Sequence, residues 1–427
     1  MRTIHTLHLA QGTLLATLVS VAGIAPRAAS FLLFAVAALF LAEDAVAGRR
    51  PDIAALTGPA PLAGLALVGY ALVTLAWSAD PAAGLEMVGF ASLLIVTTVY
   101  LAGRLAGAEG PLRRNYLRGA VIGGLLAVGY LSFELVFGKP ITEAALNLFF
   151  DTIPAKHKGL DVVDGRIVEV FGYYFNRHAG ALALYIAPLV ALISRYLPPT
   201  TRRPVIAVAI ILAGLAIFLS ESETAKVALI AAGLVWAIAR TSRRLARNLL
   251  AGAMLAAIVF ALPAVWTMHH LGLQDARWLN YTARSRVQIW DYNREETLKH
   301  PVFGAGLRTT RALMKRLLAR TSDPHTLDQA RRPGWHAHNM YLQAWFELGA
   351  VGALLSALFG IAMIRAAGRF PAGIAPFALA LAGAGMAVAA FGWGMWQTWL
   401  MSTYATAICL IYLAAGPPGA VSHQPSS

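Results

Sequence analysis

A short stretch in the C-terminal part of the chain, GWHAHNMYLQAWFELG (334–349), places polar side chains at the start of an otherwise apolar helix. Asn339, Gln343 and Glu347 are spaced four residues apart, so they share one helix face. In a membrane-spanning helix such a face normally turns toward the bundle interior or a water-filled cavity. His338 directly precedes this face, and an imidazole can remove a proton from a hydroxyl as a general base. The alternative is that His338 only caps the helix at the water boundary.

His336 and His338 also form an H-x-H pair, a pattern that occurs in metal sites. In an extended segment both side chains would point to the same side. The spacing fixes no third ligand, although Asp323, His325 and Asp328 are available. Because structural and catalytic metal sites use three or four defined ligands, metal binding is the weaker interpretation and we expect no metal. His336 is then a supporting neighbour of His338.

The segment before this stretch is rich in arginine. Residues 269–337 hold twelve basic and six acidic side chains. Arg284 and Arg286 begin RSRVQIWDYNREETLKH (284–300), which is typical of a helix that ends before Pro301. The planar guanidinium group suits bidentate recognition of phosphate, so this region predicts a pocket for a pyrophosphate-bearing lipid. A solvated basic face, or contact with lipid headgroups, is the alternative.

Two smaller polar clusters open other apolar segments. Asn176 and Arg177 precede one of them, and SESETAK (220–226), which ends at Lys226, precedes another. Cations at a span end often only reach toward lipid headgroups, and Glu221 or Glu223 could pair with Lys226. All the clusters fall on the same predicted side of the membrane, which favours one shared site.

The composition indicates that membrane-spanning helices position these residues. The chain has 427 residues, of which 58% are hydrophobic and 13% charged. Soluble domains have about 25% charged residues, so this is a membrane protein. The single cysteine, Cys409, excludes an intrachain disulfide. The net charge of +14 does not indicate nucleic acid, because the basic residues lie at span ends. We predict about twelve spans, at roughly 9–25, 28–48, 57–77, 84–103, 118–138, 178–194, 204–220, 225–239, 248–268, 339–364, 371–393 and 395–414.

Arginine placement predicts the orientation of these spans. Arginines concentrate at alternate span ends, which the positive-inside rule assigns to the cytoplasm. Both termini are then cytoplasmic, with an uncleaved first helix and a tail at 415–427. We expect spans one to nine within 1–268, with an outer loop at 139–177. A mostly helical outer subdomain at 269–337 and spans ten to twelve at 338–414 complete the all-α bundle.

With these residues identified, the chain resembles the O-antigen ligase family, whose superfamily also holds O-antigen polymerases and protein O-oligosaccharyltransferases. The resemblance rests on RSRVQIW and HPVFGAG between 284 and 306, on the block from His338 to Gly349, and on Asn176-Arg177. It is specific from about 170 to 350. Where many members carry Ser-Arg before the eighth span, this sequence has Ser222-Glu223, and Lys226 is the nearest cation.

The resemblance implies a membrane glycosyltransferase of the GT-C type that works without metal or other cofactor. Such an enzyme transfers polysaccharide from undecaprenyl pyrophosphate to a sugar hydroxyl of lipid A–core, at the periplasmic face of the Gram-negative inner membrane. The implied roles are His338 as general base and Arg284, Arg286, Arg177 and Lys226 as pyrophosphate ligands. Asn339, Gln343, His336 and Asn176 would orient or support them.

Two rival functions remain open at this point. A repeat polymerase or a protein O-oligosaccharyltransferase would share the fold and the donor but use another acceptor. A transporter of lipid-linked glycan would also need a basic cavity. We see no internal repeat, and the polar residues gather on one face rather than at the bilayer midplane, where transporter sites usually lie. The transporter is therefore the weaker alternative.

Overall fold

The computed structural model describes residues 2–149, 159–320 and 332–417. The helices in these ranges are α1 (Arg2–Ile24), α2 (Ala29–Val46), α3 (Pro59–Val73), α4 (Pro81–Ala106), α5 (Gly110–Val136), α6 (Pro140–Phe149), α7 (Asn176–Tyr196), α8 (Pro199–Leu219), α9 (Glu223–Thr241), α10 (Arg243–Val259), α11 (Ala261–His270), α12 (Tyr281–Lys299), α13 (Thr309–Arg320), α14 (Met340–Arg369), α15 (Ala375–Phe391) and α16 (Thr398–Ala415). Two short strands, β1 (Leu160–Val163) and β2 (Arg166–Val170), pair antiparallel.

The chain is a multi-pass, predominantly helical membrane protein. Nine of the described helices are long and apolar enough to cross a membrane, and α10 with α11 makes a tenth if that pair, bent by 61°, is one span. Ala10–Ile24 of α1 and Ala375–Phe391 of α15 are shorter apolar helices. Every predicted span thus has a helix at its position, while the count of twelve stays a prediction.

Helix α7 lies at the centre of the bundle. It is the most buried of the candidate spans among the described residues, and it packs against α5, α8, α9, α15 and α16. Most of its buried side chains are small or aliphatic, including Ala179, Leu184 and Leu192, beside the buried His178 and Tyr185. A helix that is apolar all round belongs in the interior of a bundle. The residues that open α7, Asn176 and Arg177, are therefore held by the most constrained element of the fold.

The connections at the His338 end of the bundle have their own secondary structure. Between α5 and α7, helix α6 packs against β2 of the hairpin. Asn147 ties the two together, since its side chain accepts from the Ile167 amide at 2.9 Å and donates to the same residue's carbonyl at 3.0 Å. Helices α12 and α13 lie between α11 and α14, and α12 contains the segment expected to be helical. The hairpin is an addition to the all-α architecture.

Helix α14 is interrupted at Gly349, which has φ +64° and ψ −164°. The sequence predicted a span over 339–364, and Met340–Arg369 is a candidate span at that position, but the interruption within it was not predicted. Peptide groups freed by the interruption bond to the loop after α12, since a helix break leaves donors and acceptors that need partners. The four bonds run from the amide to the carbonyl: Ala305 to Phe346 (2.9 Å), Gly306 to Glu347 (2.9 Å), Ala350 to Pro301 (2.9 Å) and Val351 to Val302 (3.3 Å).

Two glycines permit this contact between the loop and the helix. A Cβ on Gly304 would lie 2.5 Å from the Glu347 carbonyl oxygen, and a Cβ on Gly349 would meet the Val302 carbonyl. On its other side the loop bonds to the α3–α4 turn, where Trp77 Nε1 donates to the Gly304 carbonyl at 3.1 Å. The HPVFGAG loop is thereby fixed between two membrane-spanning elements.

Candidate active site

The backbone and the ring of His338 are both tightly constrained. Its φ is +54°, a left-handed conformation that residues other than glycine seldom adopt and that tends to occur at functional sites. Its Nδ1 lies 2.9 Å from the carbonyl oxygen of Gly392. A carbonyl oxygen only accepts, so Nδ1 carries a proton, and the neutral form of the ring in this geometry has its lone pair on Nε2. That is the tautomer a general base needs.

His336 lies beside His338, with ring centroids 4.0 Å apart. The Trp399 indole donates to Gln397 Oε1 at 3.1 Å, which turns the Gln397 amide nitrogen toward His336 Nδ1 at 3.4 Å. His336 Nδ1 thus accepts a long hydrogen bond from the Gln397 amide, whereas His338 Nδ1 donates to the Gly392 carbonyl. The two histidines therefore differ in their environments although they are two residues apart.

The polar face after His338 turns into the bundle, where Gln343 and Glu347 are buried and Asn339 is half-buried. Asn339 is the N-cap of α14, and its side chain accepts from the Leu342 amide at 3.0 Å. Gln343 is 3% exposed; its Oε1 accepts from the Met395 amide at 3.0 Å and its Nε2 donates to Glu347 Oε1 at 3.2 Å. The structure thus places Asn339 and Gln343 as supports of the backbone around His338.

Glu347 is the centre of the hydrogen-bond network at this end. It is 1% exposed. Its Oε1 accepts from Thr310 Oγ1 at 2.6 Å, from the Thr310 amide at 3.3 Å and from Gln343. Its Oε2 accepts from the Arg308 amide at 2.9 Å and from the Trp396 indole at 2.8 Å. A buried carboxylate is stable only when it is fully bonded, and this one joins α14 to the start of α13 and to the segment before α16.

The segment 391–397, between α15 and α16, connects the polar clusters, and the sequence analysis did not single it out. The Phe391 carbonyl accepts from Thr224 Oγ1 of α9 at 2.7 Å. The Trp393 ring packs directly on Gly180 of α7: a Cβ added to this glycine would be only 2.6 Å from the ring. Gly392 holds His338, as described above. The only signal in the sequence was an unusual density of Gly, Trp and Gln in FGWGMWQTW (391–399).

Arg284 and Arg286 lie in the first turns of α12, as predicted. The face of α12 that follows Arg286 packs toward the site: Trp290 clusters with Leu342 of α14, and Asn293 Nδ2 donates to the Pro333 carbonyl at 3.1 Å. The Nε atoms of both arginines are buried and have no hydrogen-bond partner within the described part of the chain. Burial lowers the pKa of the Arg286 guanidinium. Positive charge is therefore held in a partly dry place, and no carboxylate within the described ranges forms a salt bridge with either arginine.

The other two predicted cations differ from each other. Arg177 opens α7 near Arg27, and its Nε is buried with no hydrogen-bond partner among residues 2–149, 159–320 and 332–417. The Oδ1 of Asn176 is likewise buried and has no hydrogen-bond partner in these ranges. Lys226 instead pairs with Glu223 Oε1 at 2.8 Å. Of the two cations, Arg177 is the one available to an anion.

Arg308 is a further basic residue that sequence reasoning did not select as a site residue. It follows the HPVFGAG loop, has φ +68°, and its backbone amide is fixed by Glu347. Burial lowers the pKa of its guanidinium, and the Glu347 carboxylate opposes this shift. Its buried Nε lacks a partner in the described ranges. Nothing in the local sequence distinguishes Arg308 from the other loop arginines; its position depends on Glu347.

Metal ligation would need residues beyond the two histidines. Asp323, His325 and Asp328, considered above as third ligands, lie outside the described residues. Within the described ranges, no group of three or more His, Cys, Asp or Glu side chains could hold a metal ion. The donors at hand are instead an imidazole and several guanidinium groups, which suit proton transfer and anion binding.

Comparison with known proteins agrees with this arrangement. Residues 207–357 match the family model described as O-Antigen ligase. A search of curated protein sequences returned no match. The matched segment contains α9, the arginines of α12, the HPVFGAG loop, His338 and the interruption at Gly349. The predicted resemblance to the O-antigen ligase family is thus confirmed for residues 207–357.

Proposed function

We propose that this protein transfers a polysaccharide from undecaprenyl pyrophosphate to a sugar hydroxyl of lipid A–core. The reaction takes place at the periplasmic face of the Gram-negative inner membrane, with the His338 end of the bundle outward and both termini in the cytoplasm. It uses no metal or other cofactor. The family match and the basic, partly buried surroundings of α12 support this assignment.

His338 acts as the general base in this reaction. Its Nε2 takes the proton of the acceptor hydroxyl while the hydroxyl oxygen forms a bond to the anomeric carbon. The bond between that carbon and the pyrophosphate oxygen breaks, and undecaprenyl pyrophosphate leaves with the electron pair. Attack opposite the leaving group inverts the anomeric configuration. The observation that carries this role is the bond from Nδ1 to the Gly392 carbonyl, which leaves the lone pair on Nε2.

The leaving pyrophosphate gains negative charge as the bond breaks, and preorganised cations stabilise such charge best in a site that excludes water. Arg284 and Arg286 supply these cations, with help from Arg177. Their buried Nε atoms have no competing partner in the described structure, so each guanidinium can turn toward an oxyanion. Lys226, held by Glu223, has a minor role.

The test is in vitro ligation with purified donor and acceptor. His338→Ala should lower the transfer rate by about 10²–10⁴-fold, the usual contribution of a general base, while donor binding is retained. His270→Ala is the matched control, because His270 is exposed at the end of α11. A near wild-type rate for His338→Ala, or loss of the wild-type activity in EDTA, would refute the mechanism.

The choice of acceptor separates the ligase from its relatives. Membranes that contain the protein are supplied with lipid-linked glycan and with lipid A–core, a second lipid-linked unit or an acceptor peptide. A ligase consumes only lipid A–core. Consumption of the second lipid-linked unit would identify a polymerase with the same site, and movement of lipid-linked glycan without a new glycosidic bond would identify a transporter.

A further inference from the structure

A second basic site lies at the opposite end of α14 from His338. Arg365 and Arg369 are in the last turns of α14, and Arg247 is in the first turns of α10. Together with Asn248 and Ala251 they line a cavity of about 350 Å³. The lining contains no acidic residue, and none of the three arginines has a salt-bridge partner among the described residues.

Three arginines around one cavity repel each other unless an anion lies between them. The helix dipole explains one cation at the end of α14, but it does not explain why Arg247 of another helix joins them. The Arg247 side chain packs against Gly368, where a Cβ would be 3.1 Å from its Cδ. The absence of a side chain at Gly368 therefore lets Arg247 approach Arg365 and Arg369.

An apolar groove adjoins this cavity and shares Arg365 and Arg369 with it. The groove, about 310 Å³, runs between the start of α3 and the second half of α14. Apart from the two arginines its lining is entirely apolar and includes Ala63, Leu358 and Ile361. A charged cavity and an apolar groove that share Arg365 and Arg369 suit the two parts of an amphipathic anion, a headgroup and a hydrocarbon chain.

We propose that this end of α14 binds one anionic phospholipid. Its phosphate lies among Arg247, Arg365 and Arg369, and one acyl chain lies in the groove against Ala63 and Leu358. The lipid comes from the leaflet opposite to the catalytic site, which is the cytoplasmic leaflet in the proposed orientation. Basic pockets between membrane helices are known to recognise such headgroups. The site is independent of the proposed glycosyl transfer, so either can fail without the other.

The test is native mass spectrometry of the full chain in detergent with phosphatidylglycerol or phosphatidylcholine. The wild-type protein should retain one phosphatidylglycerol in preference to phosphatidylcholine. The double variant Arg365→Gln/Arg369→Gln should bind it about tenfold more weakly or worse, as expected for two charges near a phosphate. The matched control, Arg243→Gln/Arg244→Gln, removes two exposed charges at the same end of the bundle and should bind as the wild type does.

A third variant examines the acyl chain. Ala63→Phe fills the groove without changing charge, so it should weaken the binding of phosphatidylglycerol. The ability of inorganic phosphate to compete for the three arginines should be the same in this variant as in the wild type. Equal binding of phosphatidylcholine, or an equal loss in the control pair, would overturn the site. If millimolar phosphate displaced the lipid and Ala63→Phe had no effect on binding, the ligand would be a soluble anion. That result would overturn the proposal of a bound phospholipid.

Discussion

The imidazole of His338 donates from Nδ1 to the carbonyl oxygen of Gly392 at 2.9 Å, across 54 residues of sequence. The direction of the Nε2 lone pair is therefore set by the chain between α15 and α16 rather than by α14, which follows the histidine. Thr224 of α9 fixes that chain through the neighbouring Phe391 carbonyl. The rate of the proposed transfer and the stability of the fold should thus depend on residues that do not contact the substrate.

Thr224→Val should act on the rate through this connection. The change preserves shape but removes the bond to Phe391, which is worth about 1 kcal/mol in stability. We expect a kcat reduced by roughly tenfold with KM unchanged, because the base moves while the substrate contacts remain. Thr241→Val is the control: it removes a similar bond, to Ile238, at the exposed far end of the same helix. Equal effects of the two variants would contradict a positioning role.

Glu347→Gln should destabilise the protein although the side chains have the same shape. Glu347 accepts bonds from five donors, and the amide group of glutamine would turn an N–H toward some of them. Hydrogen bonds to a charged group contribute about 1.5–3 kcal/mol each, so a loss of at least that size is expected in thermal unfolding. The control Glu296→Gln breaks only a surface pair with Lys299, and such a solvent-screened pair contributes little to stability. A melting temperature equal to that of the control would contradict the central role of Glu347.

Gly349→Ala should be much more harmful than Gly272→Ala. Both glycines have positive φ, at +64° and +67°, so the backbone strain of about 1–2 kcal/mol applies to both. Gly272 has open space around its position, whereas a Cβ on Gly349 would meet the Val302 carbonyl. The difference in unfolding temperature between the two variants therefore measures the close approach of the HPVFGAG loop. Equal losses would mean that the loop does not pack against the interruption as described.

Arg286→Gln should raise the KM for the lipid-linked donor. Loss of charge-assisted hydrogen bonds to a phosphate, at about 1.5–3 kcal/mol, corresponds to roughly 10–100-fold. Arg286→Lys should lie between this variant and the wild type, because lysine keeps the charge but not the planar fork. The control is Arg277→Gln, an exposed arginine that precedes α12. A donor KM unchanged in Arg286→Gln, or changed equally in Arg277→Gln, would remove Arg286 from the pyrophosphate site.

The positions of the helices followed from the sequence, because hydropathy and helix periodicity are local properties; the assignment of His338 as a base rests on the same local pattern and stays a prediction. The interruption at Gly349 did not follow, since a glycine in an apolar helix is common and this one is opened by bonds to residues 301–306 far along the chain. The contact of Gly392 was not predictable for the same reason: its carbonyl bonds to His338, which is 54 residues away in the sequence. The sequence offered Glu221 or Glu223 as a partner for Lys226, and only the structure shows that Glu223 is the one that pairs with it.

The interruption at Gly349 has a consequence for how deep the chemistry lies. Beyond it, the straight part of α14 runs from 350 to 369, and at 1.5 Å per residue it is about 30 Å long, the thickness of a bilayer's hydrocarbon core. The turns that carry Gln343 and Glu347 are additional to that length, so a span of 350–369 would leave them outside the hydrocarbon core. In the proposed transfer, hydrophilic glycans would then meet without being dehydrated by lipid tails, while the polyprenyl chain of the donor would stay dissolved in the tails below.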